Sequence, residues 1–272
     1  MGRVYTGRVQ GIVLDWAGTI IDHGCIAPSG VFVDLFAEYG VVITSAEARE
    51  PMGRAKRDHI AQLLGMPAVA QRWAEVHGSP PSEADVDRLY AGFGERQIAA
   101  LAQHAQMIPG VVEALNLLRA SGIRIGTCTG YTRPMMDMLA PLAAGQGFIP
   151  DAIVTSDEVP SARPSPLMCY LNAVRLNVYP LSAMIKVGDT LVDIEEGLNA
   201  GMWVVAVTLT GNEVGMTEME LRALPDDEIQ RLHETAARKF RAAGAHIVLS
   251  SAADLPAAVE QINARLARGE RP

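Results

Sequence analysis

The sequence predicts an α/β protein: a doubly wound, Rossmann-like parallel sheet core with an inserted all-helical cap domain. Short apolar runs recur along the chain, and helix-periodic segments separate the later ones. Strands that alternate with helices form βαβ units, whose right-handed crossovers give a parallel sheet with helices on both faces. Residues 26–103 show helical periodicity alone, which indicates a separate helical unit.

The first predicted strand, residues 11–15, is an apolar run that ends on Asp15 and leads into a tight loop. The later strand-like runs are 123–129, 152–155, 184–189, 203–207 and, as a last candidate, 246–250. Helices are predicted between them at 111–120, 134–144, 166–176 and 191–199, each followed closely by a helix breaker. Residues 211–221 are predicted to be a loop before a charged helix at 226–243, and a C-terminal helix begins near Asp254.

The helical unit has two apolar faces, as expected for helices that pack against one another. These faces are Phe32, Leu35, Phe36 and Tyr39, and Val86, Leu89, Tyr90 and Phe93. A helix break at 51–53 precedes a new helix from about Arg54 to Leu64. We therefore predict a core of residues 1–23 and 106–272 and a cap of residues 24–105, with hinges near 23–24 and 106–109.

The composition narrows the possible partners. The chain of 272 residues is 49% hydrophobic, enough to bury a sizeable core, and its formal net charge is -8. This charge and the lack of Lys/Arg clusters argue against nucleic acids and acidic membranes, and no apolar stretch is long enough to span a bilayer. The three cysteines are far apart and the first residues lack a signal-peptide core, so a cytoplasmic location is expected.

Three polar residues lie at predicted strand ends: Asp15, Thr129 and Asp189. In an open α/β sheet, ligands bind beyond the carboxyl ends of the strands, so these side chains are candidates for a site. Each one alone could instead cap a helix, which is the commoner role of a single Asp or Thr at that position. Their joint occurrence favours a shared site.

The segments around these residues resemble the four motifs of the haloacid dehalogenase superfamily. They are Asp15-Trp16-Ala17-Gly18-Thr19, Thr129-Gly130, Arg163-Pro164 and Gly188-Asp189-Thr190 with Asp193. The resemblance covers essentially the whole chain and places the helical unit where the superfamily has its cap domain. It implies that Asp15 attacks phosphorus to give an aspartyl phosphate, that Thr129 hydrogen-bonds the phosphoryl group and that Arg163 neutralises its charge.

A divalent cation is expected beside these groups, because carboxylates alone would repel a phosphoryl group. Its predicted ligands are the carboxylates of Asp15 and Asp189 and the backbone carbonyl of Ala17, with Asp193 acting as a ligand or only by positioning its neighbours. Oxygen ligands alone favour Mg²⁺.

Ala17 departs from the superfamily pattern. Most phosphatases of the superfamily have a second Asp at this position, which protonates the leaving alkoxide and later activates water. One interpretation is an inactive enzyme or a phosphate-binding relic. The other is a leaving group that needs no acid, or an acid supplied by another residue.

Lys56 is the candidate for such a replacement. It is predicted in the first turn of a helix, on the same face as Ile60 and Leu63. Partial burial and a positive helix N-terminus both lower the pKa of an amine, and a lysine with a lowered pKa is suited to form a Schiff base. For an isolated helical lysine, a solvated or snorkelling surface charge is the more common role.

Four segments more specifically resemble the phosphonatases, the phosphonoacetaldehyde hydrolase family: residues 15–19, 24–25, 51–59 and 130–133. The resemblance implies that Lys56 condenses with the aldehyde of a small phosphonate substrate and that Ala replaces the second Asp. It also implies a homodimer paired through the cap. The residues it places near the substrate, besides Thr129 and Arg163, are Cys25, Met52, Gly53, His59 and Tyr131, with His59 as a candidate proton shuttle.

From the residues alone, other roles remain open for four of these side chains. Met52 and Tyr131 could simply pack, Cys25 could be a small buried side chain, and His59 could be a polar residue on the cap surface. Gly53 is better explained by function, because a glycine after a helix break lets the backbone approach a ligand.

The two departures, Ala17 and Lys56, have one chemical explanation. Cleavage of a carbon–phosphorus bond leaves a carbanion, which needs an electron sink, and a protonated imine on Lys56 provides one. Asp15 then expels an enamine, so no acid is needed at position 17. Together with this chemistry, the resemblance implies hydrolysis of phosphonoacetaldehyde to acetaldehyde and phosphate. The alternatives are a Mg²⁺-dependent capped phosphomonoesterase or phosphomutase, and a noncatalytic binding protein.

Overall fold

A six-stranded parallel sheet forms the centre of the computed structural model, which describes residues 4–272. The strands are β1 Gly11–Leu14, β2 Arg124–Thr129, β3 Ala152–Thr155, β4 Met184–Gly188, β5 Trp203–Val207 and β6 Ile247–Leu249. Their order is β3-β2-β1-β4-β5-β6, and all neighbours run parallel. The predicted doubly wound core is confirmed.

Helices surround the sheet and form the insert between β1 and β2. They are α1 Ile26–Glu38, α2 Ser45–Arg49, α3 Lys56–Gly65, α4 Pro67–His77, α5 Glu83–Gln103, α6 Val111–Ala120, α7 Arg133–Ala144, α8 Leu167–Leu176, α9 Leu191–Ala200, α10 Glu218–Arg222, α11 Asp226–Ala242 and α12 Leu255–Ala267. We call α1–α5 the helical insert. No helix within residues 4–272 is both long and apolar enough to cross a membrane.

Two element boundaries differ from the sequence prediction by more than one residue. The helix expected from Arg54 begins at Lys56, because the preceding residue, Ala55, has an extended ψ of 142°. The loop expected at 211–221 ends early, since Thr217 and Glu220 form a capping box that starts α10 at Glu218. Thr217 and Glu220 were a local signal for this helix.

The sheet and the insert each have an apolar interior. Every residue of β1, β4 and β5 is buried, as expected for strands covered by helices on both faces. In the insert, the predicted apolar faces of α1 and α5 meet, with the Phe32 and Phe93 rings stacked at 4.7 Å between centroids. The predicted division at residues 23/24 and 105/106 stays a prediction.

The strand order determines where the residues predicted for the site come together. The chain moves from β1 outward to β2 and β3 on one side, and to β4, β5 and β6 on the other. Leu14, the last residue of β1, lies in register with Thr127 of β2 and Val187 of β4. The residues after these strands therefore converge at one edge, where an open α/β sheet binds its ligands.

Candidate active site

A small cavity lies where the carboxyl ends of β1, β2 and β4 meet the helical insert. Its volume is about 20 Å³, roughly the space of one or two water molecules. It is lined by Asp15, Ala17, Cys25, Pro28, Met52, Gly53, Lys56, Thr129, Gly130, Tyr131, Arg163, Asp189 and Thr190. The structure thus brings ten of the predicted site residues to one cavity, whereas His59 and Asp193 do not line it.

Asp15 directly follows β1 and is fixed between two strands. Its backbone N–H donates to the carbonyl of Val187 at 2.9 Å, and its side-chain Oδ1 accepts a hydrogen bond from Arg163 Nη2 at 3.0 Å. No hydrogen bond from residues 4–272 reaches Oδ2, so this oxygen is free to contact a ligand. Burial raises the pKa of Asp15, and the Arg163 guanidinium opposes that rise.

Arg163 is fully buried and uses all three nitrogen atoms of its guanidinium. Nε donates to Glu196 Oε2 at 2.9 Å, and Nη1 lies 3.1 Å from Asp193 Oδ1. Nη1 also donates to the backbone carbonyl of Gly53, at 3.3 Å, which joins the core to the insert. The planar fork of an arginine suits such a set of acceptors and fixes its orientation toward Asp15.

The sequence analysis missed two members of this buried network, Lys186 and Glu196. The Nζ of Lys186 donates to Asp193 Oδ1 at 2.5 Å and lies 3.4 Å from Glu196 Oε2. Burial and the nearby Arg163 lower the pKa of Lys186, but Asp193 and Glu196 outweigh them and raise it. A lysine inside the apolar run of β4 was the available signal, because a buried charge requires a partner.

Three buried carboxylates form a group that could hold a metal ion. Ligand oxygens of Asp15, Asp189 and Asp193 lie within 4.8 Å of one another. Asp193 is already paired with Lys186 and Arg163, whereas no Lys or Arg within residues 4–272 forms an ion pair with Asp189. Burial, together with the charges of Asp15 and Asp193, raises the pKa of Asp189 to about 8. A cation bound between Asp15 and Asp189 fits this local excess of negative charge.

Neutral donors fix the orientation of the Asp189 carboxylate. The Thr19 hydroxyl donates to Oδ1 at 3.1 Å, and the backbone N–H of Asn212 donates to Oδ2 at 2.8 Å. The Cys25 thiol also donates to Oδ2, at 3.2 Å. Burial and the Asp189 charge raise the pKa of Cys25, so the sulfur is a neutral donor and not a nucleophile.

Lys56 is the first residue of α3, and its Nζ lies among aromatic rings. The distances are 5.0 Å to the centroid of Tyr131 and 5.6 Å to that of Phe32. No carboxylate in the described part of the chain forms an ion pair with this Nζ. Burial lowers the pKa of Lys56 to about 8, although Asp15 opposes the shift. At pH 7 roughly a tenth of the side chain is therefore free amine.

Glycines at two positions let the insert approach the core. A Cβ at Gly130 would lie 2.5 Å from the backbone oxygen of Arg54. Gly53 has a φ of +88°, and a Cβ there would lie 2.5 Å from Thr190 Oγ1. A larger residue at either position would push the segment before Lys56 away from the strand ends.

His59 lies one helical turn after Lys56, but its ring packs inside the insert. Nε2 is 2.9 Å from the carbonyl oxygen of Ala48, so this nitrogen carries the proton, and the ring stacks on Phe32 at 3.8 Å. Burial and the Lys56 charge hold the pKa of His59 well below its usual range. His59 is thus buried and neutral. A role as proton shuttle stays a prediction.

Thr129 and Tyr131 lie next to each other on the cavity wall. Thr129 Oγ1 accepts a hydrogen bond from the Tyr131 backbone N–H at 3.2 Å, which leaves its own hydroxyl proton free to donate to a ligand. The Tyr131 hydroxyl is buried and has no hydrogen-bond partner within residues 4–272. Met52, which is buried, adds an apolar surface from the insert.

The chain is similar over its whole length to proteins named phosphonoacetaldehyde hydrolase. One from Nitratidesulfovibrio vulgaris is 49% identical over 270 residues, which cover 99% of this chain and 96% of that protein. A phosphonoacetaldehyde hydrolase-like protein of Syntrophobacter fumaroxidans is 51% identical over 269 residues, or 98% of this chain and 97% of that protein. The crystal structure of a phosphonoacetaldehyde hydrolase-like protein from Oleispira antarctica matches with a TM-score of 0.98 at 43% identity, covering 100% of this chain and 99% of the other.

The family model of the haloacid dehalogenase-like hydrolases matches residues 9–201. This range includes β1, the whole helical insert and every residue predicted for the site. The family match and the full-length similarity agree with the fold. The chain belongs to the haloacid dehalogenase-like hydrolases, and among them to the phosphonoacetaldehyde hydrolase family.

Proposed function

We propose that this protein hydrolyses the carbon–phosphorus bond of phosphonoacetaldehyde to acetaldehyde and phosphate. One observation carries the proposal: a buried lysine with a lowered pKa shares a cavity with Asp15, while position 17 is alanine. An ordinary phosphatase needs an acid near position 17 but no neutral amine. The names of the relatives provide independent support.

The first step is formation of an imine. The neutral amine of Lys56 attacks the aldehyde carbon, and loss of water leaves a protonated imine. The rings of Tyr131 and Phe32 stabilise a cation at this position without offering it a carboxylate. The small size of the cavity limits the access of water to the imine.

The second step is attack by Asp15 on phosphorus. The carbon–phosphorus bond breaks as its electron pair moves into the imine, which gives an enamine on Lys56 and an aspartyl phosphate. We assign binding of the phosphoryl oxygens to the Arg163 guanidinium and the Thr129 hydroxyl, which line the same cavity as Asp15. The enamine then takes up a proton on carbon, and water releases acetaldehyde. A second water cleaves the aspartyl phosphate and restores Asp15.

Mg²⁺ is the proposed metal. The carboxylates of Asp15 and Asp189 would hold it with the backbone carbonyl of Ala17, while Asp193 positions its neighbours from its bonds to Lys186 and Arg163. When bound, such an ion neutralises charge on the phosphoryl oxygens.

Substrate entry is proposed to require movement of the helical insert as a cap, because the cavity of about 20 Å³ is smaller than the substrate. The two linkers between core and insert lie side by side: the Asp22 N–H donates to the Gln106 carbonyl at 3.2 Å, and Ile21 forms a bridge with Met107. This adjacency supports hinges near 23–24 and 106–109 and a cap of residues 24–105.

Borohydride reduction tests the imine directly. Addition of borohydride together with phosphonoacetaldehyde should inactivate the enzyme irreversibly and add mass to the peptide that contains Lys56. Borohydride alone is the control and should leave activity intact. Turnover of phosphate esters with no adduct at Lys56 would instead support the phosphomonoesterase or phosphomutase alternative.

Substitution of the nucleophile separates the two steps. Asp15→Ala should abolish release of phosphate, because no aspartyl phosphate forms, yet borohydride should still trap the adduct at Lys56. Phosphate release is measured with a colorimetric assay and the adduct by mass spectrometry. Retained phosphate release in Asp15→Ala would contradict the assignment of the nucleophile.

We also propose a cytoplasmic homodimer that pairs through the cap. The family resemblance supports the dimer, and three buried cysteines without a disulfide, Cys25, Cys128 and Cys169, fit a reducing compartment. Light scattering after size exclusion measures the oligomeric state, and a monomer at micromolar concentration would contradict the dimer.

A further inference from the structure

Arg49, the last residue of α2, extends from the helical insert to the core. Nη1 donates to the carbonyl of Gly24 at 2.6 Å, and Nη2 donates to the carbonyl of Gly215 at 3.1 Å. Nη1 also lies 3.4 Å from Asn212 Oδ1. None of these acceptors is a carboxylate, so the guanidinium serves to hold the core loop after β5 against the insert.

Asn212 is the residue through which this contact reaches the active site. Its side chain is buried, and Nδ2 donates to the backbone carbonyl of Arg49 at 3.1 Å, so the two residues bind each other in both directions. The backbone N–H of Asn212 donates to Asp189 Oδ2 at 2.8 Å. One residue therefore touches both the insert and a carboxylate proposed to hold the metal.

The loop around Asn212 is also bound to the segment that follows Asp15. The Thr210 hydroxyl donates to the carbonyl of Gly18 at 2.7 Å, and the Gly24 N–H donates to the Thr210 carbonyl at 2.7 Å. Residues 210–215 thus form a bridge between the first linker, α2 and Asp189.

We propose that Arg49 is a positioning residue that couples closure of the insert to the orientation of Asp189, acting through Asn212. When the insert rests on the core, the Arg49–Asn212 pair fixes the loop and holds the Asn212 N–H on Asp189 Oδ2. When the insert moves away, this restraint on the carboxylate is lost. The inference rests on the proposed function only in taking Asp189 as a metal ligand.

The test uses the full-length enzyme with three variants and a control. They are Arg49→Ala, Asn212→Ala, the double variant, and Arg57→Ala, an arginine of the same insert that binds Glu83 and Asp87 within the insert. The measurements are kcat and KM for phosphate release from phosphonoacetaldehyde and, without substrate, the Kd for Mg²⁺ by calorimetry.

Each of the two single variants should lower kcat about ten- to hundredfold, the range expected for loss of buried hydrogen bonds to a charged group. Each should also weaken Mg²⁺ binding several-fold, roughly in parallel with kcat. Because both substitutions act through one contact, kcat of the double variant should be no more than about threefold below that of the less active single variant. Arg57→Ala should stay within about twofold of the wild type.

Three results would overturn the inference. The first is that Arg49→Ala changes kcat and the Kd for Mg²⁺ no more than Arg57→Ala does. The second is that the kcat losses of the two single variants multiply in the double variant. The third is that kcat falls while the Kd for Mg²⁺ stays unchanged. If Arg49→Ala does not fold, Asn212→Ala and Arg49→Lys replace it, and wild-type values in Asn212→Ala would be decisive against coupling. A wild-type enzyme that does not act on phosphonoacetaldehyde would refute the proposed function, while the Mg²⁺ measurements would still test the coupling.

Discussion

The protein has two buried lysines, Lys56 in the insert and Lys186 in the core, and their surroundings shift the two pKa values in opposite directions. Their relative exposures are 4% and 0%. Lys186 Nζ lies 2.5 Å from Asp193 and 3.4 Å from Glu196, whereas Lys56 Nζ faces two aromatic rings. Accordingly the pKa of Lys186 is raised, and burial lowers that of Lys56 to about 8.

The difference shows that burial alone does not decide the charge of a lysine. Burial lowers the pKa of both side chains, and at Lys186 the nearby Asp193, Cys128 and Glu196 reverse the effect. A permanently charged Lys186 can hold Asp193 and Glu196, both of which bind Arg163. Lys56, in contrast, has access to the neutral form that an attack on an aldehyde requires.

The largest expected effect is at Lys56. Lys56→Arg keeps a positive charge but cannot form the imine, so phosphate release from phosphonoacetaldehyde should fall at least about a thousandfold. Lys239→Arg, at an exposed position paired with Glu213, is the control and should behave like the wild type. Near-normal turnover in Lys56→Arg would contradict the proposed mechanism.

Replacement of Lys186 should instead lower the stability of the protein. Lys186→Met leaves Asp193, Glu196 and Asp15 with Arg163 as their shared cationic partner, and should lower the free energy of unfolding by about 3–5 kcal/mol. Lys239→Met removes an exposed ion pair and should cost no more than about 1 kcal/mol. Urea denaturation measures both. Equal costs would mean that the buried network does not depend on Lys186.

The pH dependence of imine formation tests the difference in pKa between Lys56 and Lys186. With a pKa of about 8, the free-amine fraction of Lys56 rises about tenfold from pH 7 to pH 9 and changes little above that. Lys186 keeps its charge throughout this range, because its pKa is raised. Rapid-quench borohydride trapping in Asp15→Ala isolates the step, and the loss of the Asp15 charge, which raises the pKa of Lys56, should bring the plateau to a lower pH than in the wild type. A trapping rate that still rises tenfold per unit above pH 9 would indicate an ordinary lysine.

The smallest predicted effect comes from a substitution that makes the surroundings of Lys56 more like those of Lys186. Ala17→Asp adds a carboxylate to the cavity that Lys56 faces, so the pKa of the amine should rise. The midpoint of the trapping profile should move up by about one pH unit. Ala17→Asn has a similar size without the charge and should leave the midpoint in place. A common shift in both variants would point to a steric cause.

Local patterns predicted most of the fold. Apolar runs indicated all six strands, and their Asp and Thr ends indicated the edge where Asp15, Thr129 and Asp189 meet. This succeeds because parallel strands necessarily end at one edge of a sheet. The loop predicted at 211–221 was wrong at its end, since α10 begins at Glu218. The same stretch contains Asn212, which contacts both Asp189 and Arg49.

The sequence by itself determined the fold class, because apolar runs and helical periodicity are local patterns. It also predicted Asp15 as the nucleophile and linked Lys56 with Ala17, because short motifs and one chemistry that needs both changes point to them. Tertiary structure decided which charges have partners: Glu196 and Asp193 for Lys186, aromatic rings for Lys56, and the Ala48 carbonyl for His59. The physical reason is that a pKa depends on burial and on groups within a few ångströms, and those groups come from elements far apart in the chain.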